Sequence, residues 1–143
     1  MRRERWIQRY FLSHPEEFKG RVITFESRLE LGKTTRIVDV VVDASSTRPC
    51  YYEFKSVTNI PPHDFAQQFL KDLEIANDLS QIKWYFDGRK ISTLNKELFL
   101  EELEKVEIDD KLISKWTSNL QESTKKSFLE FIDDNFNIIF QIK

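Results

Sequence analysis

The chain has 143 residues and a mass of 17.2 kDa, which is the size of one domain. Its 40% apolar and 13% aromatic residues are enough to fill a core, and only 3 Gly and 4 Pro argue against a disordered or collagen-like chain. The net charge of −2 divides into +3 over residues 1–60 and −5 over residues 61–143, so the first part is the one suited to phosphate groups.

The composition also excludes several classes of protein. A single cysteine, Cys50, rules out an internal disulfide framework and a cysteine-rich zinc site. The apolar runs are too short to cross a bilayer, and the basic start lacks the apolar stretch of a secretory signal. The pI near 5.8 argues against a general nucleic-acid coating protein. These features predict a soluble protein with no membrane segment.

The first part of the chain predicts one helix and three strands. Apolar residues spaced as on one face of a helix predict a helix over residues 2–12. Alternating and β-branched residues predict strands over residues 21–31, 34–43 and 50–57.

The second part has mainly helical periodicity. After two prolines, apolar residues from Phe65 to Ala76 repeat at helical spacing and predict a helix of about four turns. A strand is predicted over residues 81–87, closed by an Asp-Gly turn signal. Helices are then expected over residues 93–106, 110–117 and 119–134, and a last strand over FNIIFQI, residues 136–142.

This order of elements, α-β-β-β-α-β followed by helices, predicts the α/β class with a mixed central sheet flanked by helices. The strands at 34–43 and 50–57 are apolar on both faces, as in the covered middle of a sheet. We expect a single domain over residues 1–143, with a core over about 1–90 and a helical C-terminal extension over about 91–143. The extension helices offer a surface for dimerisation.

Three ionisable residues interrupt the two most apolar strands. Asp39 lies in the middle of strand 34–43, and Glu53 and Lys55 share one face of strand 50–57. Burying an unpaired charge is unfavourable, so these side chains need each other or a metal ion.

Two carboxylates and a lysine suit phosphoryl chemistry. Carboxylate oxygens bind Mg²⁺, which keeps several waters and takes substrate phosphate oxygens as further ligands, and Mn²⁺ fits the same donors. We predict that Asp39 and Glu53 are metal ligands and that Lys55 orients the attacking water or the phosphate. A buried structural ion pair predicts the same pattern and is the alternative. The acid-x-Lys tripeptide carries little information by itself, because it also begins at Glu17 and Asp109.

The run RIVDVVVD, followed by CYYEFKSV, resembles the core of the PD-(D/E)XK phosphodiesterases, a restriction-endonuclease-like superfamily. That family has an α-β-β-β-α-β core with a metal-binding aspartate on the second strand and the acid-x-Lys motif on the third. The resemblance covers about residues 1–90 and implies that Asp39, Glu53 and Lys55 form a metal-dependent nuclease site. The proline that often precedes the aspartate is absent here.

Two further residues follow from this resemblance. Family members often carry a glutamate on the first helix, and Glu4 matches that place and would complete the metal site, with Glu17 and Glu26 as alternatives. Many also carry a glutamine on the helix after the motif. Here Gln68, at the edge of the apolar face of that helix, fits better than Gln67 as a phosphate contact or as a support for a ligand.

Residues 53–88 indicate a more specific resemblance within this superfamily. They are similar to nuclease domains at the C-termini of bacterial polymorphic toxins, including contact-dependent growth inhibition toxins, in E-x-K, in a helix with Q-F-x-x-D-L and in a strand that ends in an aromatic residue. The similarity implies DNA or tRNA as substrate, an immunity protein as partner and action in the bacterial cytoplasm after delivery into a target cell. The start at Met1 suggests an excised domain or a free-standing gene product.

Two other functions are compatible with the same residues. The first is a non-catalytic domain that binds nucleic acid or protein on the same fold, with Glu53 and Lys55 as a structural pair. The second is a repair, restriction or resolvase nuclease. The sequence leaves open whether DNA or RNA is cut and whether cutting is internal or from an end.

Overall fold

One mixed sheet of five strands, in the order β1-β2-β3-β4-β5, organises the chain. The structure is a computed structural model that describes residues 2–31, 34–59 and 61–143. The first three strands pair antiparallel, and β3, β4 and β5 pair parallel. The strands are β1 (Ile23–Leu31), β2 (Thr34–Val42), β3 (Cys50–Lys55), β4 (Ile82–Phe86) and β5 (Phe140–Ile142).

Six α-helices and one short 3-10 helix accompany the sheet. They are α1 (Arg2–Ser13), α2 (Pro15–Phe18), α3 (Pro62–Ile75), the 3-10 helix Leu79–Gln81, α4 (Lys96–Lys105), α5 (Asp110–Thr117) and α6 (Lys125–Ile139). Local chemistry sets several starts, because the side chains of Asn95, Asp109 and Thr124 accept backbone N–H bonds at the first turns of α4, α5 and α6. No helix among the described residues is long and apolar enough to cross a membrane.

The two faces of the sheet carry separate apolar cores. Side chains alternate along a strand, so Tyr52 and Phe54 of β3 point towards α1, while Trp84 and Phe86 of β4 point towards α3. Trp6 and Tyr10 cover the first face, and α3, α4, α5 and α6 cover the second. Residues 38–42 of β2 and 52–54 of β3 are buried on both sides, as the apolar strands 34–43 and 50–57 predicted, whereas Ile37 of β2 is 54% exposed.

The strands and helices predicted through β4 are confirmed in order and type, including the mixed sheet with helices on it. The short helix α2 and the 3-10 helix Leu79–Gln81 were not predicted. The last strand is wrong in extent, because α6 continues to Ile139 and only Phe140–Ile142 is extended. Phe128, Ile132 and Phe136 recur every four residues and continue the buried stripe of the helix. Helix α6 also begins at Lys125 rather than near 119, because Thr124 and Ser127 form a capping box.

The C-terminal helices are attached to the rest of the fold through lysines that cap helix ends. Lys115 Nζ of α5 lies 2.9 Å from the carbonyl oxygen of Leu73 and 3.0 Å from that of Glu74, at the end of α3. Lys125 Nζ of α6 lies 2.8 Å from the carbonyl oxygen of Val106, just after α4. Such bonds satisfy carbonyl groups that have no partner inside the helix.

The carboxyl ends of the parallel strands are joined around Asp87, directly after β4. Its carboxylate accepts hydrogen bonds from Ser56 after β3, at 3.0 Å, and from the guanidinium of Arg89, at 2.8 and 3.0 Å. The next residue, Gly88, donates its N–H to the carbonyl of Lys143 at 3.1 Å, and a Cβ there would lie 2.9 Å from that oxygen. Asp87 and Gly88 thus connect the ends of β3, β4 and β5.

The Asp87 contacts predict a pH-dependent contribution to stability. The hydrogen bonds from Arg89, acting against burial, lower the pKa of Asp87 to about 2. In the unfolded chain its pKa is about 3.9, so the stabilisation is present above that value and is lost as pH falls towards 2. We expect Asp87→Asn to lower the free energy of unfolding by about 2 kcal/mol at pH 7, and by less as pH falls from 4 to 2, in urea titrations. Asp134→Asn, at an exposed position, is the control, and a pH-independent difference for Asp87→Asn would contradict this account.

Candidate functional site

Strands β2 and β3 separate in the middle of the sheet and form a fork. Their pairing runs from Val42 opposite Cys50 to Val40 opposite Tyr52 and ends there. The β1–β2 pairing continues to Leu31 opposite Thr34, and the β3–β4 pairing continues to Lys55 opposite Phe86. Beyond Val40 the β1–β2 hairpin therefore leaves the rest of the sheet as a two-stranded arm, defined here as residues 27–31 and 34–38.

Asp39 lies at this fork. It is the first residue of β2 past the last β2–β3 pair, and its Oδ2 accepts the backbone N–H of Phe54 at 2.9 Å. A side-chain carboxylate thus takes a strand N–H at the point where the backbone pairing ends. Asp39 is only 6% exposed, so it lies within the protein beside the strand that carries Glu53 and Lys55.

Glu53, which is 4% exposed, is held between two cations. Its Oε1 lies 3.2 Å from the Nζ of Lys55, and its Oε2 accepts a hydrogen bond of 2.8 Å from Nη2 of Arg36. Both oxygens of this buried carboxylate are therefore compensated by positive charge, as burial of an ionised group requires.

Helix α3 supplies the partners of both cations. Gln68 Oε1 accepts a 2.9 Å hydrogen bond from Nζ of Lys55, and Asp72 Oδ1 accepts a 2.8 Å bond from Nε of Arg36. Gln68 and Asp72 are four residues apart and so lie on the same side of the helix. Arg36, Glu53, Lys55, Gln68 and Asp72 form one connected set of side chains, which we call the Glu53 network.

Trp84 contacts two members of the Glu53 network. Its indole Nε1 donates to the second oxygen of Asp72 at 2.8 Å, and Nζ of Lys55 lies 5.4 Å from the centroid of its ring. At that distance the ring attracts the ammonium group electrostatically. Trp84 therefore fixes Asp72 at one end of the network and contacts Lys55 at the other.

Burial and charge oppose one another in this network. Burial raises the pKa of Asp72 above its ordinary value, and Arg36 and the Trp84 bond counteract only part of that effect. Burial alone would lower the pKa of Arg36, but Asp72 and Glu53 outweigh it and raise that pKa above its ordinary value. The guanidinium is thus held firmly in its charged form, and Asp72 depends on it.

The structure brings together four of the five residues that the sequence predicted for the site. Asp39 and Glu53 lie at the fork, Lys55 contacts Glu53, and Gln68, rather than the exposed Gln67, reaches Lys55.

The fifth residue, Glu4, lies in α1, and its side chain is outside the described residues. The ring of Trp6, two residues further along α1, lies 5.4 Å from that of Phe54. Phe54 lies between Glu53 and Lys55 in β3 but points to the opposite face of the sheet, so this part of α1 packs against the other side of the strand that carries them. Glu26 is exposed and has a φ of 48°. The β1–β2 pairs on either side of it place it opposite Asp39.

Glu17 lies on the other face of the sheet and belongs to a different set of contacts. Its two carboxylate oxygens accept hydrogen bonds of 2.7 to 2.9 Å from the hydroxyl groups of Tyr10, Tyr52 and Tyr85. Burial acts to raise the pKa of Glu17, but the three hydroxyl groups outweigh it and hold that pKa below its ordinary value. Because Tyr52 alternates with Glu53 along β3, Glu17 does not join the Glu53 network.

Sequence reasoning missed Arg36 and Asp72. The available signal for Asp72 was its position within the apolar stripe of α3, next to Leu73, where a carboxylate is as unexpected as Asp39 is in β2. Arg36 gave a similar signal at the start of the apolar run IVDVVV. Their pairing was not foreseeable, because 36 residues separate them along the chain.

The donor atoms fit a magnesium site that is completed by substrate, and not one built from protein alone. Among the described residues there is no group of three or more His, Cys, Asp and Glu side chains that could hold a metal ion. Asp39 and Glu53 do supply two carboxylates at one fork, and Mg²⁺ is commonly held by one or two carboxylates together with waters and phosphate oxygens.

The Glu53 network predicts a large loss of stability when one buried charge is removed. Arg36→Met leaves Glu53 and Asp72 with Lys55 as the only nearby cation, and we expect it to lower the free energy of unfolding by about 3–5 kcal/mol. The further change Asp72→Asn removes the negative charge that Arg36 compensated but keeps an oxygen to accept the Trp84 hydrogen bond. The double variant should therefore recover most of the lost free energy of unfolding. Urea denaturation followed by circular dichroism measures both.

The matched control is Arg21→Met, which breaks an arginine–aspartate pair with Asp43 whose side chains are 37% and 27% exposed. An exposed pair of this kind contributes about 0–1 kcal/mol. An Arg36→Met loss no larger than that of Arg21→Met would show that the buried charges are not coupled as described.

Comparisons with known proteins assign the chain to no family. No family model, no curated protein and no solved structure matches it.

Proposed function

We propose that the protein is a metal-dependent nuclease with a restriction-endonuclease-like, PD-(D/E)XK core. The observation that carries the proposal is the convergence of Asp39, Glu53 and Lys55 at the point where β2 and β3 separate, with Gln68 of the following helix on Lys55. Two carboxylates beside a partly accessible lysine can hold a metal ion and stabilise the charge that develops when a phosphodiester is hydrolysed.

Asp39 and Glu53 would hold the metal ion, Mg²⁺ or Mn²⁺. When bound there, the ion polarises the phosphoryl group and lowers the pKa of a coordinated water. The protein side chains have to be fixed before substrate arrives. The backbone bond from Phe54 fixes Asp39, and the two cations fix Glu53.

Lys55 is the group best placed to meet the substrate. Its side chain is 19% exposed, which makes it more exposed than the side chains of Glu53 and Arg36. An ammonium group has three N–H donors; Gln68 accepts one of them, and Oε1 of Glu53 lies 3.2 Å from the Nζ. A phosphate oxygen or the attacking water could accept another, where a positive charge stabilises the charge that develops in the transition state.

The surface near the start of α1 supports an anionic polymer as substrate. Arg5 and Arg9 are both exposed and lie one turn apart on α1, whose Trp6 contacts Phe54 on the other face of the strand that carries Glu53 and Lys55. Two arginines on that surface can each bind a phosphate of a nucleic-acid backbone. DNA and tRNA both present such a backbone, so the choice between them is left to experiment.

A second candidate function is a non-catalytic binding domain, and one observation favours it. Both oxygens of Glu53 are already bonded to cations, as in a purely structural ion pair. In that case Lys55 would contribute to stability or to binding of an anion and not to bond cleavage.

Cleavage assays separate the two functions. We expect the purified chain to cut plasmid DNA or total tRNA with Mg²⁺ or Mn²⁺ and not with EDTA, and Lys55→Met to lower the rate by about 10²–10³-fold. Lys55→Met is the suitable variant, because Arg36 still compensates Glu53 and the protein should stay folded. Glu53→Gln should likewise abolish cutting.

Glu30→Gln is the matched control, since Glu30 is an exposed glutamate of β1 paired only with exposed Arg28. It should cut at the wild-type rate. A folded, metal-supplied protein that cuts neither substrate, while its unfolding free energy falls in Lys55→Met, would favour the binding domain instead.

Expression in a bacterial host tests the toxin reading of this nuclease. If the chain is a toxin nuclease domain, induction of the wild-type protein should arrest growth within a few generations, whereas Lys55→Met at the same protein level should not. Growth that is equally unaffected by both proteins, combined with cleavage in the tube, would point to a repair or restriction nuclease. The measurement is culture density with protein level checked by immunoblot.

A further inference from the structure

Arg36 and Asp72 lie behind Glu53, on the side away from solvent. Arg36 donates one hydrogen bond to Oε2 of Glu53 and another to Asp72. The side chains of Arg36 and Asp72 are 8% and 3% exposed. Lys55, on the other oxygen, is the more exposed partner. One oxygen of Glu53 is thus held inside the protein and the other, Oε1, is on the accessible side.

We propose that Arg36, anchored by Asp72, is a positioning residue that orients Glu53 so that Oε1 is the oxygen presented to the metal. This inference rests on the proposed function and assigns to the nuclease site two residues that do not touch substrate or metal. Groups that orient metal ligands in this way commonly change metal affinity 10–100-fold when they are replaced, about as much as some ligands do.

The shape of the guanidinium group explains why arginine occupies this position. Its Nη2 reaches Glu53 and its Nε reaches Asp72, both at 2.8 Å, while Nη1 donates to the carbonyl oxygen of Ile37 at 2.7 Å. Three bonds fix the orientation of the guanidinium group, and with it the position of Oε2 of Glu53. A lysine ammonium could not bridge the same partners in a fixed geometry.

Arg36 also connects the arm to the body of the protein. It belongs to β2 beyond the fork, whereas Glu53 is in β3 and Asp72 is in α3. Because the β2–β3 pairing ends at Val40, Arg36 is a side-chain link across the gap between arm and body. The position of the arm and the orientation of Glu53 are therefore set by the same group.

Manganese binding to the full chain, measured as the loss of the free Mn²⁺ signal in electron paramagnetic resonance, tests this role. We expect the Arg36→Met/Asp72→Asn double variant to fold and to bind Mn²⁺ about 10–100-fold more weakly than the wild type. In cleavage assays the Mn²⁺ concentration for half-maximal rate should rise by the same factor, while saturating Mn²⁺ restores most of kcat. Lys55→Met should instead lower kcat even at saturating Mn²⁺ and should not weaken Mn²⁺ binding, because it removes a positive charge 3.2 Å from Oε1 of Glu53.

Two further variants make the test decisive. Arg36→Lys keeps the positive charge, so it should fold even if the double variant does not, and it should still bind Mn²⁺ more weakly because one ammonium group cannot bridge Glu53 and Asp72. Arg21→Met/Asp43→Asn makes the same chemical change at an exposed pair and should bind like the wild type.

The outcomes separate this inference from the proposed function. Wild-type protein that binds no Mn²⁺ and cuts nothing overturns the proposed function and the positioning role with it. Wild-type protein that binds Mn²⁺ and cuts, with unchanged affinity in Arg36→Lys and in the folded double variant, overturns the positioning role alone. Weaker binding in both of these variants, with the exposed-pair control unchanged, supports it.

Discussion

The burial of an ionised glutamate at position 53 is the constraint on which the rest of the site depends. A carboxylate with 4% exposure is tolerated only if cations compensate it, and here one cation comes from the same strand and the other from β2. Each cation in turn needs an acceptor, and α3 provides both. One buried charge therefore fixes the relative positions of two strands and a helix.

The sheet separates two kinds of polar chemistry. On the α1 face, Glu17 is surrounded by three tyrosine hydroxyl groups, which are neutral donors whose phenol pKa values are raised by burial and by the carboxylate. On the α3 face, Glu53 is surrounded by charged groups. The three hydroxyl groups are neutral donors to a carboxylate, whereas Lys55 and Arg36 balance the charge of Glu53, and Lys55 is the more exposed of the two.

Much of the fold and part of the site follow from the sequence alone. Period-two apolar patterns located the strands, and the ionisable residues within them, Asp39, Glu53 and Lys55, identified the network. The fork did not follow, because alternation shows which face a residue occupies and not where two strands stop pairing. Arg36 and Asp72 form a long-range pair, and the run FNIIF has an apolar pattern that suits a helix end as well as a strand.

The two-stranded arm beyond the fork has a consequence for how this fold can diversify. Its residues pair with each other and not with β3, and Ile37 on it is 54% exposed. Substitutions at its exposed positions, such as Ile37, leave the sheet's central pairing and the two apolar cores untouched, so selection can act on them separately from foldability. Arg36 and the buried Val38 of the same arm are different, because Arg36 links the arm to Glu53 and Asp72. The exposed positions of the arm are thus where related sequences can differ in surface chemistry while the Glu53 network is kept.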